Sequence, residues 1–170
     1  MNDAASRTSM DAEAWRLMHF ALRAVIAEPD RMLATRGLTR VHHRVLFFVA
    51  QRLDISVGEL QATLGVSKQA LAAPLRALAA QGLITLRKDD TDARVRRVQL
   101  TRSGRALEAQ LTGVQYAMFQ AAFDAAGPEA AAGWKTVMRL LAASIGEPID
   151  PRFALQGRIG AKGQGQRTAD

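Results

Sequence analysis

Hydrophobic residues near the start of the chain recur at helical spacing and predict a helix over about residues 11–28. Asp11 stands where a capping residue belongs, and Glu28-Pro29-Asp30 marks the end, because the residue before a proline disfavours helical backbone. The small and polar residues 1–10 precede the cap and are predicted to be flexible. The apolar face of this helix is formed by Trp15, Met18, Leu22, Val25 and Ile26.

Three further helical segments follow, and a short turn joins the last two. The first is predicted from about Thr39, with an apolar side that includes Leu46 and Val49. The second ends at Gly65, since glycine accepts the positive φ of a helix end, and Ser67 is placed to cap the third. The third runs over about residues 68–80, so the spacing predicts a helix-turn-helix.

The apolar period changes from helical to extended after Gly82. Leu83-Ile84-Thr85-Leu86 predicts one strand, a charged loop occupies residues 88–93, and a second strand runs from about Arg96 through Leu100. These two strands form a hairpin, or wing, and the winged helix-turn-helix covers about residues 55–101. The predicted fold class is mainly α with a small β-hairpin (α+β).

Helical spacing returns at the C-terminal end. A long helix is predicted over about 103–125, Gly127-Pro128 interrupts it, and a last helix extends to about residue 145. Residues 11–145 therefore form a single domain. Residues 146–170 are rich in glycine and basic residues and lack periodicity, so they are predicted to form a flexible basic tail.

Positive charge is concentrated in the winged segment. The chain has a formal net charge of +7, and nine basic and four acidic residues lie between positions 56 and 105. A polyanion is the natural partner of such a surface. The chain has no cysteine, no export signal and no apolar run long enough to span a bilayer, which predicts a cytoplasmic protein without a thiolate metal site, bound metal or cofactor.

The segment from Ile55 to Gly104 resembles the MarR family of transcription regulators. The most specific match is Asp92-Ala93-Arg94, then Val98-Gln99-Leu100-Thr101 and Ser103-Gly104, which is similar to the family's wing signature. Three further matches support it, namely Glu59-Leu60, Gly65-Val66-Ser67 and Gln81-Gly82-Leu83-Ile84. The resemblance implies a regulator, commonly a repressor, that binds double-stranded DNA at a palindromic operator as a homodimer.

The resemblance and the motif's docking geometry together give candidate DNA contacts. The recognition helix presents its N-terminal part to the major groove, and the wing tip, Arg94, enters the minor groove. Asp92 is expected to hold the Arg94 side chain, and Pro74 departs from the pattern and predicts a kink or an opened turn. The helix candidates are Ser67, Lys68, Gln69, Ala72 and Arg76, and the wing candidates are Lys88, Asp92, Arg94, Arg96 and Arg97.

The helices over about 11–28 and 103–145 would form the dimer interface in this family. Its candidate anchors, which equally suit an intrachain core, are Met118, Phe119, Trp134 and Leu141. A small aromatic or phenolic effector would bind between these helices and the DNA-binding lobe. The candidate effector residues are Trp15, His19, His42, His43 and Arg44. The alternative for the three histidines is that they face solvent or pack in the core, and a metal site is disfavoured.

Two other classes of function are weighed against this interpretation. An enzyme is disfavoured because no glycine-rich phosphate loop, paired carboxylates or nucleophile motif is evident. A winged helix that serves protein–protein interaction or non-specific DNA packaging remains an alternative, since a fold does not dictate its use.

Overall fold

A computed structural model describes the backbone from residue 2 to residue 144 and the side chains from residue 12 to residue 144. The predicted tail over 146–170 lies outside the described residues, whereas the last helix, predicted to extend to about residue 145, ends at Ala143. The elements are α1 (Asn2–Ala34), α2 (Arg40–Gln51), β1 (Ile55–Ser56), α3 (Val57–Leu64), α4 (Lys68–Ala80), β2 (Ile84–Lys88), β3 (Arg96–Leu100), α5 (Arg102–Ala126) and α6 (Pro128–Ala143).

The predicted fold class is confirmed: the described part of the chain has six helices and a small antiparallel sheet. The wing strands β2 and β3 pair with Ile84 opposite Leu100 and Leu86 opposite Val98. The sheet has a third strand, β1, which pairs with β3 through Ile55 and Val98. Two residues are too few to show a period of two, so the sequence pattern did not reveal β1.

The predicted limits of the first helix are wrong at both ends. Helix α1 begins at Asn2 and not near residue 11, and it continues past Pro29 to Ala34. A proline inside a helix cannot donate to the carbonyl four residues earlier, which here belongs to Val25. The side-chain amide of Gln115 in α5 donates to that carbonyl at 3.3 Å, and the Pro29 ring is fully buried. Tertiary contacts therefore offset the proline.

Pro74 is accommodated in a similar manner in α4. The helix is continuous from Lys68 to Ala80, so the proline does not end or open it. Pro74 lies on the buried side of the helix together with Leu71, Leu75 and Leu78. Apolar burial of the order of 1.5–3 kcal/mol for each leucine is large enough to offset an interior proline.

In the described residues, the hydrophobic core extends from Leu33 to Leu111. Helix α2 contributes Val45 and Leu46, the sheet contributes Ile55 and Val98, and all four are fully buried. The first half of α5 joins this core through Leu107 and Leu111, whereas α6 has no buried residue. In the described residues, no helix is long and apolar enough to cross a membrane.

Candidate nucleic-acid interface

Side-chain caps fix the geometry of the helix-turn-helix. The Ser56 hydroxyl accepts the backbone N–H of Glu59 at 3.1 Å, and the Glu59 carboxylate accepts the N–H of Ser56 at 2.9 Å. These bonds lower the pKa of Glu59, chiefly through the backbone bond. Gly65 ends α3 at φ 62°, and the Ser67 hydroxyl accepts the N–H of Ala70 at 3.2 Å. The predicted helix end and cap are confirmed.

Helix α4 presents to solvent a face on which only one of three side chains is charged. Gln69, Ala73 and Arg76 share this face, because residues separated by three or four positions lie on the same side of a helix. Ala73 is exposed, whereas the predicted Ala72 is half-buried. Counting four residues onward from Gln69 would have identified Ala73 in the sequence. The other predicted helix candidates, Ser67 and Lys68, are exposed at the N-terminus.

Two aspartates organise the loop of the wing. One carboxylate oxygen of Asp89 accepts the Thr91 hydroxyl at 2.6 Å and the backbone N–H groups of Thr91 and Asp92 at 2.8 and 3.0 Å. The bonds from Thr91, followed by that from Arg97, hold the pKa of Asp89 well below its usual range. Asp92 in turn accepts the backbone N–H of Arg94 at 2.9 Å. The sequence predicted that Asp92 holds the Arg94 side chain. In the structure, Asp92 instead positions the Arg94 backbone.

The two pairs of cations across the wing differ in their surroundings. Arg87 lies opposite Arg97, and both are paired with carboxylates, since Arg87 contacts Asp54 at 2.6 Å and Arg97 contacts Asp89. Lys88 lies opposite Arg96, and both are exposed. Within residues 12–144, the side chains of Lys88, Arg96 and Arg94 make no ion pair. The exposed side chains of the wing therefore include three cations, Lys88, Arg94 and Arg96, and two carboxylates, Asp90 and Asp92, of which Asp90 pairs with Arg87.

The predicted effector residues do not converge on one crevice in a single chain. Successive helix residues point about 100° apart, and the three consecutive candidates of α2 contact different partners. The Nδ1 atom of His42 accepts the N–H of Thr39 at 3.0 Å, the Nε2 atom of His43 lies 3.5 Å from the Thr112 hydroxyl, and Arg44 donates to the Leu64 carbonyl at 2.9 Å. Trp15 and His19 are exposed on α1.

A groove is present elsewhere, between the end of α2, strand β3 and the start of α5. Its cavity volume is about 360 Å³, and its lining includes Val49, Leu53, Leu100, Arg105 and Glu108. Burial raises the pKa of Glu108. None of the five predicted effector residues lines this groove.

Two of the predicted dimer anchors lie on α5 and two lie on α6. Phe119 and Trp134 contact each other with ring centroids 5.4 Å apart, and Phe123 completes this aromatic cluster between α5 and α6. Met118 and Leu141 are exposed, and Trp134 is 42% exposed despite its aromatic contacts. The cluster thus packs α6 against the end of α5, while the apolar side chains of Met118, Trp134 and Leu141 stay exposed.

The capped helix pair, the sheet and the cationic hairpin together define a winged helix-turn-helix protein. Comparison with known proteins identifies the family. A family profile described as MarR family matches residues 36–95. The chain is 39% identical to the HTH-type transcriptional regulator PetP of Rhodobacter capsulatus over 124 residues, which cover 73% of this chain and 75% of PetP. The chain belongs to the MarR family of transcription regulators.

Solved structures share the fold. A MarR-family transcriptional regulator from Silicibacter pomeroyi is similar with a TM-score of 0.65 and 25% identity, over 78% of this chain and 89% of that one. A mutant of MepR from S. aureus, solved bound to an oligodeoxyribonucleotide, is similar with a TM-score of 0.54 and 19% identity. That match covers 78% of this chain and 97% of the MepR chain.

Proposed function

We propose that this protein is a sequence-specific regulator that binds a palindromic site in double-stranded DNA as a homodimer and represses transcription there. The observation that carries the proposal is the exposed pair of Lys88 and Arg96. Like charges directly opposite each other destabilise a strand pair, and phosphate groups relieve that repulsion. The other two cations of the wing strands, Arg87 and Arg97, are half-buried and already paired with carboxylates.

The exposed face of α4 suits base recognition in the major groove. The amide of Gln69 can pair with the N6 and N7 edge of adenine, and the methyl of Ala73 can contact the methyl of thymine. Lys68 is placed for guanine or phosphate and Arg76 for phosphate or a base edge, since the N-terminal part of a recognition helix meets the bases. The two uncharged side chains of this face, Gln69 and Ala73, therefore favour A·T pairs at the positions that they contact.

The wing tip suits the minor groove. The Arg94 backbone is held by Asp92, and its exposed guanidinium makes no ion pair within the described side chains. Narrow A·T-rich minor grooves attract arginine because their negative potential is enhanced. Two copies related by two-fold symmetry would place their recognition helices about 34 Å apart, one turn of B-DNA.

Selection of bound sequences from random duplex DNA tests the proposal. The wild type should enrich one palindrome, and Arg94→Ala should lower affinity for it at fixed salt by about 1–3 kcal/mol for each arginine lost from a groove. Arg31→Ala is the matched control, because Arg31 is an exposed arginine of α1 that pairs with Glu28 outside the wing. Equal losses in the two variants would contradict the role of Arg94.

The same selection separates the alternative functions. Enrichment of no sequence, together with binding that weakens steeply with salt, would instead indicate DNA packaging. No binding at any salt concentration would indicate a winged helix that contacts proteins. Release by a small aromatic effector stays a prediction, tested by repeating the selection with candidate aromatic acids.

A further inference from the structure

Arg97 lies among the candidate DNA contacts in the sequence but has different surroundings from its neighbour Arg96. Successive residues of a strand point to opposite faces of a sheet, so Arg96 and Arg97 point apart. The side chain of Arg97 is 29% exposed and contacts carboxylates on two sides. Arg96 is exposed and, within residues 12–144, makes no ion pair.

The first group of contacts leads from Arg97 to the wing tip. The Nε atom of Arg97 donates to Asp89, whose other carboxylate oxygen accepts the two backbone N–H groups at Thr91 and Asp92. Asp92 then accepts the backbone N–H of Arg94. These side-chain contacts connect the guanidinium of Arg97 with the Arg94 backbone, beside two backbone bonds of the same loop, from Asp89 N–H to Val95 and from Val95 N–H to Asp92.

The second group of contacts leads from Arg97 to the helix-turn-helix. A terminal nitrogen of its guanidinium donates to the backbone carbonyl of Asp54 at 2.9 Å and lies 3.9 Å from the Glu59 carboxylate that caps α3. Asp54 has φ 63°, a left-handed conformation that an aspartate adopts at a cost unless its surroundings hold it. Its carboxylate receives Arg87 at 2.6 Å and Gln99 at 3.0 Å.

We propose that Arg97 is a positioning residue that joins the wing loop to the N-terminus of α3 and thereby presents Arg94, and that it makes no phosphate contact of its own. The planar fork of arginine reaches Asp89 through one nitrogen and Asp54 through another, which a lysine cannot do. The consequence for DNA binding rests on the proposed function, but the effect on the loop does not.

Amide exchange in the protein without DNA tests the effect on the loop. In Arg97→Gln, the backbone N–H groups of Thr91, Asp92 and Arg94 should exchange with solvent about tenfold faster, as expected when a charge-assisted hydrogen bond is lost. The matched control Arg96→Gln should leave these rates unchanged. Unchanged rates in Arg97→Gln would overturn the proposal. If that variant does not fold, Arg97→Lys is measured instead and should also exchange faster.

A double-mutant cycle on the selected operator tests the route to DNA. Arg97→Gln should weaken binding about tenfold in the wild type but less than about twofold in Arg94→Ala, because two residues that act through one contact are not additive. Equal losses in both backgrounds, with the salt slope reduced by about 0.9 per arginine, would identify a direct phosphate contact and overturn the proposal. A wild type that selects no operator refutes the proposed function, and amide exchange then decides the role of Arg97.

Discussion

Gly104 has no side chain, and this absence allows the start of α5 to approach the base of the wing closely. It lies in the first turn of α5, where an added Cβ would be 1.9 Å from the carbonyl oxygen of Leu83. That oxygen accepts the backbone N–H of Thr101 at 3.1 Å, and the Thr101 hydroxyl accepts the N–H of Gly104 at 3.0 Å. The base of the wing and the start of α5 therefore approach more closely than any residue with a side chain allows.

Gly104→Ala is expected to destabilise the protein by about 3 kcal/mol, because backbone must move to relieve the overlap. The free energy of unfolding in urea measures this. Gly113→Ala is the matched control in the same helix, where an added Cβ meets nothing within 4 Å. It should stabilise by about 0.5–1 kcal/mol, since alanine favours helix over glycine. Similar stability of the two variants would contradict the close approach.

Residue types and spacing were enough to predict the caps at Ser67 and Gly65, because each depends on backbone a few positions away. They were not enough to distinguish Arg96 from Arg97. That distinction depends on the register of β3 and on Asp54, a residue 43 positions from Arg97 that the sheet brings within hydrogen-bonding distance. Ala73 differs from both, because the helical spacing from Gln69 would have identified it, and Ala72 was an avoidable error.

At the scale of elements, α2 and α5 are joined by a buried polar contact. His43 of α2 faces Thr112 of α5, whose hydroxyl donates to Glu108 at 2.6 Å. Since the hydroxyl proton is used in that bond, Nε2 of His43 is the donor to the Thr112 oxygen. Burial lowers the pKa of His43, and the charge of Asp30 on α1 opposes this more weakly. The folded state therefore favours neutral His43.

Stability is expected to fall as the pH decreases below about 6.5, the ordinary pKa of histidine, because the unfolded chain then binds a proton that folded His43 resists. The slope is at most about 1.4 kcal/mol per pH unit for one histidine. Glu108, with a raised pKa, acts in the opposite direction. The measurement is therefore the difference in unfolding free energy between wild type and His43→Gln from pH 7.5 to 5.5.

This difference should shrink as the pH falls, because the variant has no imidazole to protonate at this buried position. His19→Gln is the control, since His19 is exposed on α1. A constant difference for His43→Gln would show that burial of His43 does not favour the neutral ring.

Helices α2, α3 and α4 and the two wing strands could be predicted from sequence. Each has its own hydrophobic period and its own residues that mark where it begins or ends. The limit of α1 could not, because Pro29 is compensated by Gln115, which lies 86 positions away and has no local signature. Strand β1 was missed because its two residues gain their structure only by pairing with β3. Local patterns thus identified the helix-turn-helix and wing, while contacts distant in sequence decided the boundaries.

The molecule as a whole has a well-packed lobe and terminal helices with uncovered apolar surface. Trp15 on α1 and Leu140 on α6 are 68% and 69% exposed, and α6 has no buried residue at all. Both helices pack against α5, and uncovered apolar surface of this kind usually marks an interface. Under the proposed function, a second copy of this chain would cover this surface and would also supply the second wing and recognition helix that a palindrome requires.

Leu140→Glu is therefore expected to weaken the dimer by about 3 kcal/mol, roughly a hundredfold, because a carboxylate without a partner would be buried between two copies. Light scattering after size exclusion should show the dimer mass for wild type and a concentration-dependent shift towards the monomer for the variant. Leu53→Glu is the matched control, since Leu53 is 92% exposed on the lobe. A wild type that is monomeric, or equal behaviour of the two variants, would mean that something other than a second copy covers α6. Binding to the palindrome should weaken together with the dimer, because each half-site then has to be bound separately.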